Sequence, residues 1–340
     1  MAEAEALAVT APLRLFGSEL SPYSVKVRSY FRYKGLPHDW LPRTPANQAE
    51  FQKYAKLPLI PLVVGGDGQA IQDSTPIIEH FEAAIREPSI VPDDPALVFV
   101  SALLEEYGDE WCNKWMFHYR WNYKADRWAT AERIALQMAG ALGPLDVAQA
   151  RAMVADRMTG RLGFVGSSEK TKPLIEASFR NTIALLDRHL ASRPYLLGGR
   201  PGLADFGLWG QLYEAATDPT PGGKMRASAP HVMAWVKRML EPKTEGPFEA
   251  WPALSATLMP LLTEEVGKLF LPWSVANAAA IAGGAKSFEV KLAEAAWVQE
   301  PQKYHARSLG ELRRKYQATK GAPGLDAILG ASGCLAYLQG

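Results

Sequence analysis

Residues 13–35 read LRLFGSELSPYSVKVRSYFRYKG. Leu13, Leu15 and Phe16 form a short apolar run that stops at Gly17, the pattern of a buried strand. Ser21 stands directly before Pro22, where Ser caps a helix and Pro takes its first position. Val27, Tyr30 and Phe31 then recur at helical spacing, and Gly35 is a suitable stop. The order strand, loop, helix places the Ser21 hydroxyl beside unpaired backbone N–H groups, a site that favours anions. Ser21 is therefore either a plain N-cap or the contact for a negatively charged ligand group, and this stretch alone leaves both readings open.

The segments downstream narrow the choice. His38–Leu41 alternate as a second short strand, and 42–55, polar and marked by proline, read as loop or irregular helix. KLPLIPLVV at 56–64 is followed by the turn GGDG and by QAIQDSTPIIEHFE, a hairpin and then a helix. Ile77, Ile78, Phe81 and Ile85 share one face of that helix, with Asp73 or Ser74 at its cap. The order of elements resembles the thioredoxin-like domain of the glutathione transferase family. SPYSVKVR resembles the family's loop and helix that bear a catalytic Ser or Cys, Ile60-Pro61 its cis-proline dipeptide, and Asp73-Ser74 its acidic-Ser pair. YLLGGRPGLADFGLWG at 195–210 resembles the segment that opens a core helix of the all-helical domain, although Gly202 stands where Ser or Thr is usual. Asp205 is expected to tie down the start of that helix, a structural role.

The resemblance implies an α/β thioredoxin-like domain over 12–87 and an all-α domain over 95–250, with a flexible tail at 1–11. Residues 251–340 are extra, mostly helical with a short hairpin possible. They resemble the carboxy-terminal extension of a bacterial branch of the family, which shares the DEW…MFHYRW run at 109–121. It further implies glutathione as co-substrate, with Ser21 donating to the sulfur and Ser24 and Tyr23 as alternative donors. The Ile60 backbone, set by Pro61, would meet the cysteinyl backbone. Asp73 and Ser74 would hold the γ-glutamyl end, and Lys56 the glycyl carboxylate. A homodimer is implied as well.

Composition fits a globular chain: 48% of residues are hydrophobic and the formal net charge is +1, so no global field draws it to nucleic acid or an anionic membrane. Cys112 and Cys334 make no CxxC pair, which suits a reducing compartment. The start lacks the basic flank of a signal peptide and no apolar run approaches ~20 residues, so a cytoplasmic protein is expected.

EPSIVPDDP at 87–95 reads as a linker, and helices dominate beyond it. They are expected from Leu103, across 174–190, across 203–216 and around Val232–Met239, with DPTPGGK at 218–224 as a loop. WCNKWMFHYRWNYKADRW, residues 111–128, holds seven aromatic residues. It reads either as core and interdomain seam or as an acceptor-pocket wall, with Trp111, Trp115, Phe117 and Tyr119 as candidates for the latter. His118 stands without a second ligand at metal spacing, so no metal is expected, and Cys112 reads as a buried small hydrophobe. In the tail, 261–281 suggest a helix interrupted near Pro272, residues 288–297 a hairpin, and Leu309, Leu312 and Tyr316 a further helix.

Three functions compete at this level. The first is transfer of glutathione to a hydrophobic electrophile. The second uses the same thiolate for isomerisation, dehalogenation or ether cleavage. The third is a non-catalytic ligand-binding protein.

Overall fold

The computed structural model of the chain describes residues 12–139 and 146–339; the expected tail at 1–11 lies outside them. Strands β1 (Leu13–Gly17), β2 (His38–Pro42), β3 (Leu62–Val64) and β4 (Ala70–Gln72) form one sheet in the order β2-β1-β3-β4. β1 pairs parallel with β2 and antiparallel with β3. Alternation along the strands splits their side chains between two cores. Leu13, Leu15 and Val63 join helices α1 (Pro22–Tyr33) and α3 (Ser74–Ala84), whereas Phe16, Leu62 and Val64 close over Phe51 of α2 (Gln48–Tyr54). The segment left open between loop and irregular helix is thus a 3-10 turn followed by α2.

The helical domain begins with a single rod. α4 (Pro95–Tyr107) runs through a π-helical turn, Gly108–Cys112, into α5 (Asn113–Asn122). This rod crosses α9 (Leu203–Thr217) at Gly108, where a Cβ would stand 2.8 Å from the Gly207 carbonyl carbon. A Cβ on Gly207 would in turn stand 2.8 Å from Glu105 Cα. α6 (Lys124–Ala139) and α7 (Val147–Thr159) pack on each other, and α8 (Lys172–Leu190) supplies Phe179 to the core. Neither α6 nor α7 was anticipated. Asp205 holds the start of α9 as expected, accepting from Gly202 N and Leu196 N at 2.9 Å each and from Trp235 Nε1 at 2.9 Å.

Two expectations are corrected. DPTPGGK is not a loop: Pro219–Ser228 is helix α10, with Asp218 at its cap and Pro219 in its first turn. Gly222 lets this helix lie on the end of α9, since a Cβ there would meet Ala216 O at 2.4 Å. Nor does Pro272 interrupt a helix. α12 (Trp251–Leu261), a π-helical stretch over Leu262–Phe270 and α13 (Leu271–Ala282) follow one another without a break, and Pro272, which has no N–H to give, sits where the π-helical stretch hands over to α13. α11 (Pro230–Arg238) matches the helix read around Val232.

The extension is not a separate module. Its hairpin, β5 (Phe288–Leu292) with β6 (Ala295–Gln299), and its helices share the main core. Trp111 meets Trp273 and Trp297 with ring centroids 6.0 and 5.4 Å apart. α14 (His305–Thr319) lies along α4, with Tyr316 against Phe99 and Lys315 Nζ 2.6 Å from Glu79 Oε1. Among the described residues no helix is long and apolar enough to cross a membrane.

Because Gly108 and Gly207 hold two helices at backbone contact, Gly108→Ala is expected to lower unfolding free energy by about 1–3 kcal/mol. Urea unfolding checks this, and unchanged stability would mean that the crossing tolerates a methyl group.

Candidate active site

A cleft of about 840 Å³ opens between the sheet domain, the rod and the extension. The first turn of α1 gives Tyr23, the loop before β3 gives Lys56, Leu57, Leu59 and Ile60, and the end of β4 gives Gln72 and Asp73. The rod contributes Glu106, Asp109, Glu110 and Asn113, and the extension adds Tyr304, His305, Arg307 and Ser308.

The wall formed by α1 and α3 is fixed by a buried lysine. Lys26 Nζ meets Glu105 Oε1 at 2.5 Å and Asp109 Oδ2 at 2.7 Å, and it also reaches Thr75 Oγ1 at 3.2 Å and Ser74 Oγ at 3.4 Å. Burial pulls the lysine pKa down, but Asp109 and Glu105 outweigh it and the net shift is upward, so Lys26 stays charged. One side chain therefore ties α1 to α3 and to the rod.

The Ile60–Pro61 bond is cis, as expected. Asp73 has φ 88°, a region that non-glycine residues rarely occupy and that costs about 1–3 kcal/mol; such strain is commonest at functional sites. Its Oδ2 accepts the Tyr304 hydroxyl at 2.5 Å. Ser74 is buried against Lys26, and Lys56 is exposed on the rim.

The three candidate hydroxyls differ. Ser21 Oγ accepts from Ser24 N at 3.3 Å, so it caps α1 and keeps its own hydrogen to donate. It is partly exposed and is not among the residues that line the cleft. Ser24 Oγ is buried without a hydrogen-bond partner among the described residues. Tyr23 lines the cleft, but its hydroxyl donates to Asp109 O at 2.9 Å and accepts from Asn113 Nδ2 at 3.2 Å. Burial, then Glu110 and Asp109, push the Tyr23 pKa well above its ordinary value, so it holds its proton.

The residues read as an acceptor wall lie away from this cleft. Trp111, Trp115 and Tyr119 are buried and none lines the cleft. Trp111 seals the extension, Trp115 and Tyr119 pack on Phe179, and Phe117 packs on Trp121. The carboxylates of the rod take the cleft face instead. His118 is held by Ser167 Oγ at 2.7 Å, and burial pushes the Cys112 thiol well above its ordinary value.

The carboxylates were missed, although EEYGDE at 105–110 puts four acids inside an otherwise apolar helix. Glu110 Oε2 meets His305 Nδ1 at 3.0 Å, and His305 Nε2 meets Ser274 Oγ at 2.6 Å. Glu106 Oε1 is buried with no hydrogen-bond partner among the described residues. Burial raises the Glu106 pKa well above the carboxylate range, and Glu105, Glu110 and Asp109 add to the rise. One ligand atom each from Glu106, Glu110 and His305 lies within 4.8 Å of the others, a grouping that no spacing in the sequence reveals.

Lys26→Met removes the only cation bonded to Glu105 and Asp109 among the described residues. It is expected to cost about 3–5 kcal/mol by stranding buried charge, measurable by denaturant unfolding. A loss under about 1 kcal/mol would show that the contact is not a buried ion pair.

Two family models match this chain. Residues 15–89 match the family model described as Glutathione S-transferase, N-terminal domain, and residues 146–238 match Glutathione S-transferase, C-terminal domain. An isoprene-epoxide–glutathione S-transferase from Rhodococcus sp. (strain AD45) is 24% identical over 233 residues, which cover 65% of this chain and 92% of that protein. Similar solved structures include a glutathione S-transferase from Rhodospirillum rubrum F11, with TM-score 0.45 and 16% identity over 86% of this chain and 98% of that one. The beta-etherase LigF from Sphingobium sp. strain SYK-6 gives TM-score 0.43 and 18% identity over 73% of this chain and 99% of that one. The chain belongs to the glutathione transferase superfamily, whose members are glutathione-dependent enzymes.

Proposed function

We propose that the cleft binds glutathione and directs its thiolate at a small electrophile that enters over the rim of Leu57 and Leu59. The observation that carries this reading is the convergence on one cleft of Ile60 beside its cis peptide, Asp73 at the cap of α3, Lys56 and the first turn of α1. In this reading the Ile60 backbone pairs with the cysteinyl backbone, Asp73 and Ser74 hold the γ-glutamyl group, and Lys56 meets the glycyl carboxylate. Tyr304 occupies Asp73 and yields it to the incoming ammonium.

A free thiol has a pKa near ~8.5, and lowering it by about 2 units needs roughly 2.7 kcal/mol of preferential thiolate stabilisation. Ser21 supplies part of this: it keeps a hydroxyl hydrogen to donate, at the positive end of α1. The epoxide in the name of the Rhodococcus relative makes a small epoxide the first acceptor to assay.

Ser21→Ala is expected to leave glutathione binding nearly intact. It should raise the pKa of the bound thiol and lower turnover by roughly one to two powers of ten, if the lost charged hydrogen bond is worth about 1.5–3 kcal/mol. Thiolate absorbance during titration, with turnover per folded molecule, checks this. A normal titration and full activity would leave Ser21 only its cap, with a stability loss of about 1 kcal/mol. If Tyr23→Phe alone were defective, the donor would be Tyr23.

We also expect a homodimer, as the family resemblance implies. Light scattering is expected to give about twice the chain mass of 37.3 kDa. A single-chain mass at micromolar concentration would show that the extension, which lays α14 along α4 and ties it to α3 through Lys315 and Glu79, leaves no such interface.

A further inference from the structure

We propose that Glu106 is the proton donor that completes the opening of a small epoxide by the glutathione thiolate in this cleft, an assignment that rests on the glutathione reading above. Glu106 lines the same cleft as Tyr23, Ile60 and Asp73. Its Oε1 is buried with no hydrogen-bond partner among the described residues. Glu106 is half-buried, and a carboxyl with one oxygen buried and unpartnered favours its protonated form, because the charged form would leave that oxygen with neither hydration nor a donor.

The cations nearby are committed elsewhere. Lys26 is held by Glu105 and Asp109, and Lys315 lies 2.6 Å from Glu79. His305 faces Glu110 through Nδ1 and Ser274 through Nε2. Glu105, Asp109 and Glu110 meanwhile reinforce the neutral form of Glu106 by charge repulsion, against a weaker opposing pull from Lys315. Glu106 is thus an acid on the cleft wall, while Arg307 and Lys56 line the same cleft as its cations outside these pairs.

An acid in this position matters only for certain acceptors. When a thiolate attacks an epoxide carbon, a C–S bond forms and the ring C–O bond breaks with its electron pair going to oxygen. The resulting alkoxide is strongly basic, and the Glu106 carboxyl supplies its proton. The Glu106 carboxylate then regains from solvent the proton that the thiol released on ionising. The sum is glutathione plus epoxide giving a hydroxyalkyl thioether, with no redox partner. An aryl chloride, in contrast, expels chloride, which needs no proton.

The test uses the full chain. Glutathione affinity is measured by calorimetry, and turnover is compared for 1,2-epoxybutane and 1-chloro-2,4-dinitrobenzene in wild type and Glu106→Gln. The expected result is a fall of about 100-fold in the ratio of epoxide to aryl-chloride turnover. The variant should melt at or above the wild-type temperature, since Gln has the shape of the protonated carboxyl. In wild type the same ratio should fall as pH rises and Glu106 ionises among Glu105, Asp109, Glu110, His305 and Lys315; this readout does not depend on the variant folding. Equal losses on both substrates, a ratio flat with pH, or glutathione binding without epoxide turnover would each overturn the assignment. So would epoxide turnover abolished by a chelator and restored by a divalent ion, which would make Glu106, Glu110 and His305 a metal site. Absence of glutathione binding would overturn the proposed function itself.

Discussion

The arrangement of the cleft depends on a single buried cation. Lys26 projects from α1, where it satisfies Glu105 and Asp109 on the rod and touches Ser74 and Thr75 at the start of α3. A buried ion pair of this kind adds little net stability over an apolar replacement, since desolvation offsets most of the attraction. What it gives here is register. The carboxylates must lie one helical turn apart and face the lysine, which fixes the rotation of the rod against the sheet domain. Gly108 and Gly207 make that position accessible by letting the rod and α9 meet at backbone distance. With the rod so placed, Glu106 and Glu110 are carried to the cleft and the aromatic residues of α5 are turned away from it.

The extension then closes what the two domains leave open. Tyr304, His305, Arg307 and Ser308 form one side of the cleft, and the tryptophans at 273 and 297 anchor that side to Trp111. The contact of Tyr304 with Asp73 places the extension over the residue that the resemblance gives to the γ-glutamyl end. Ligand entry and the position of the extension are therefore linked. The electrostatics differ from an apolar acceptor pocket: carboxyls, a histidine and an arginine line the walls, with leucines at the rim.

Much of the sheet domain was legible because its signals are local. Alternation in LRLF, the Ser21-Pro22 start and the GGDG turn each act over a few residues, and the observed elements fall on them. The Ile60–Pro61 dipeptide and the Asp73-Ser74 pair came from family resemblance, and Ile60 and Asp73 both line the cleft. Errors arose where tertiary packing outweighed local preference. The glycines and prolines of DPTPGGK suggested a loop, yet Gly222 serves a close helix contact and Pro219 starts a helix. The aromatic residues at 111–128 read either as core seam or as pocket wall, and packing takes them into the core: Trp111 joins the extension, Trp115 and Tyr119 pack on Phe179 of α8, and Phe117 and Trp121 join a separate cluster with Trp128. The meeting of Glu106 and Glu110 with His305 joins residues nearly two hundred positions apart, which no local pattern encodes.

The central claim is that this cleft holds glutathione with its sulfur at the start of α1. A crystal structure of the full chain with glutathione bound tests it most directly. The account predicts the sulfur within hydrogen-bonding distance of Ser21 Oγ, the γ-glutamyl group on Asp73 and Ser74, and Tyr304 displaced from Asp73. Glutathione bound away from Ile60 and Asp73, or in place with its sulfur remote from Ser21, would contradict it.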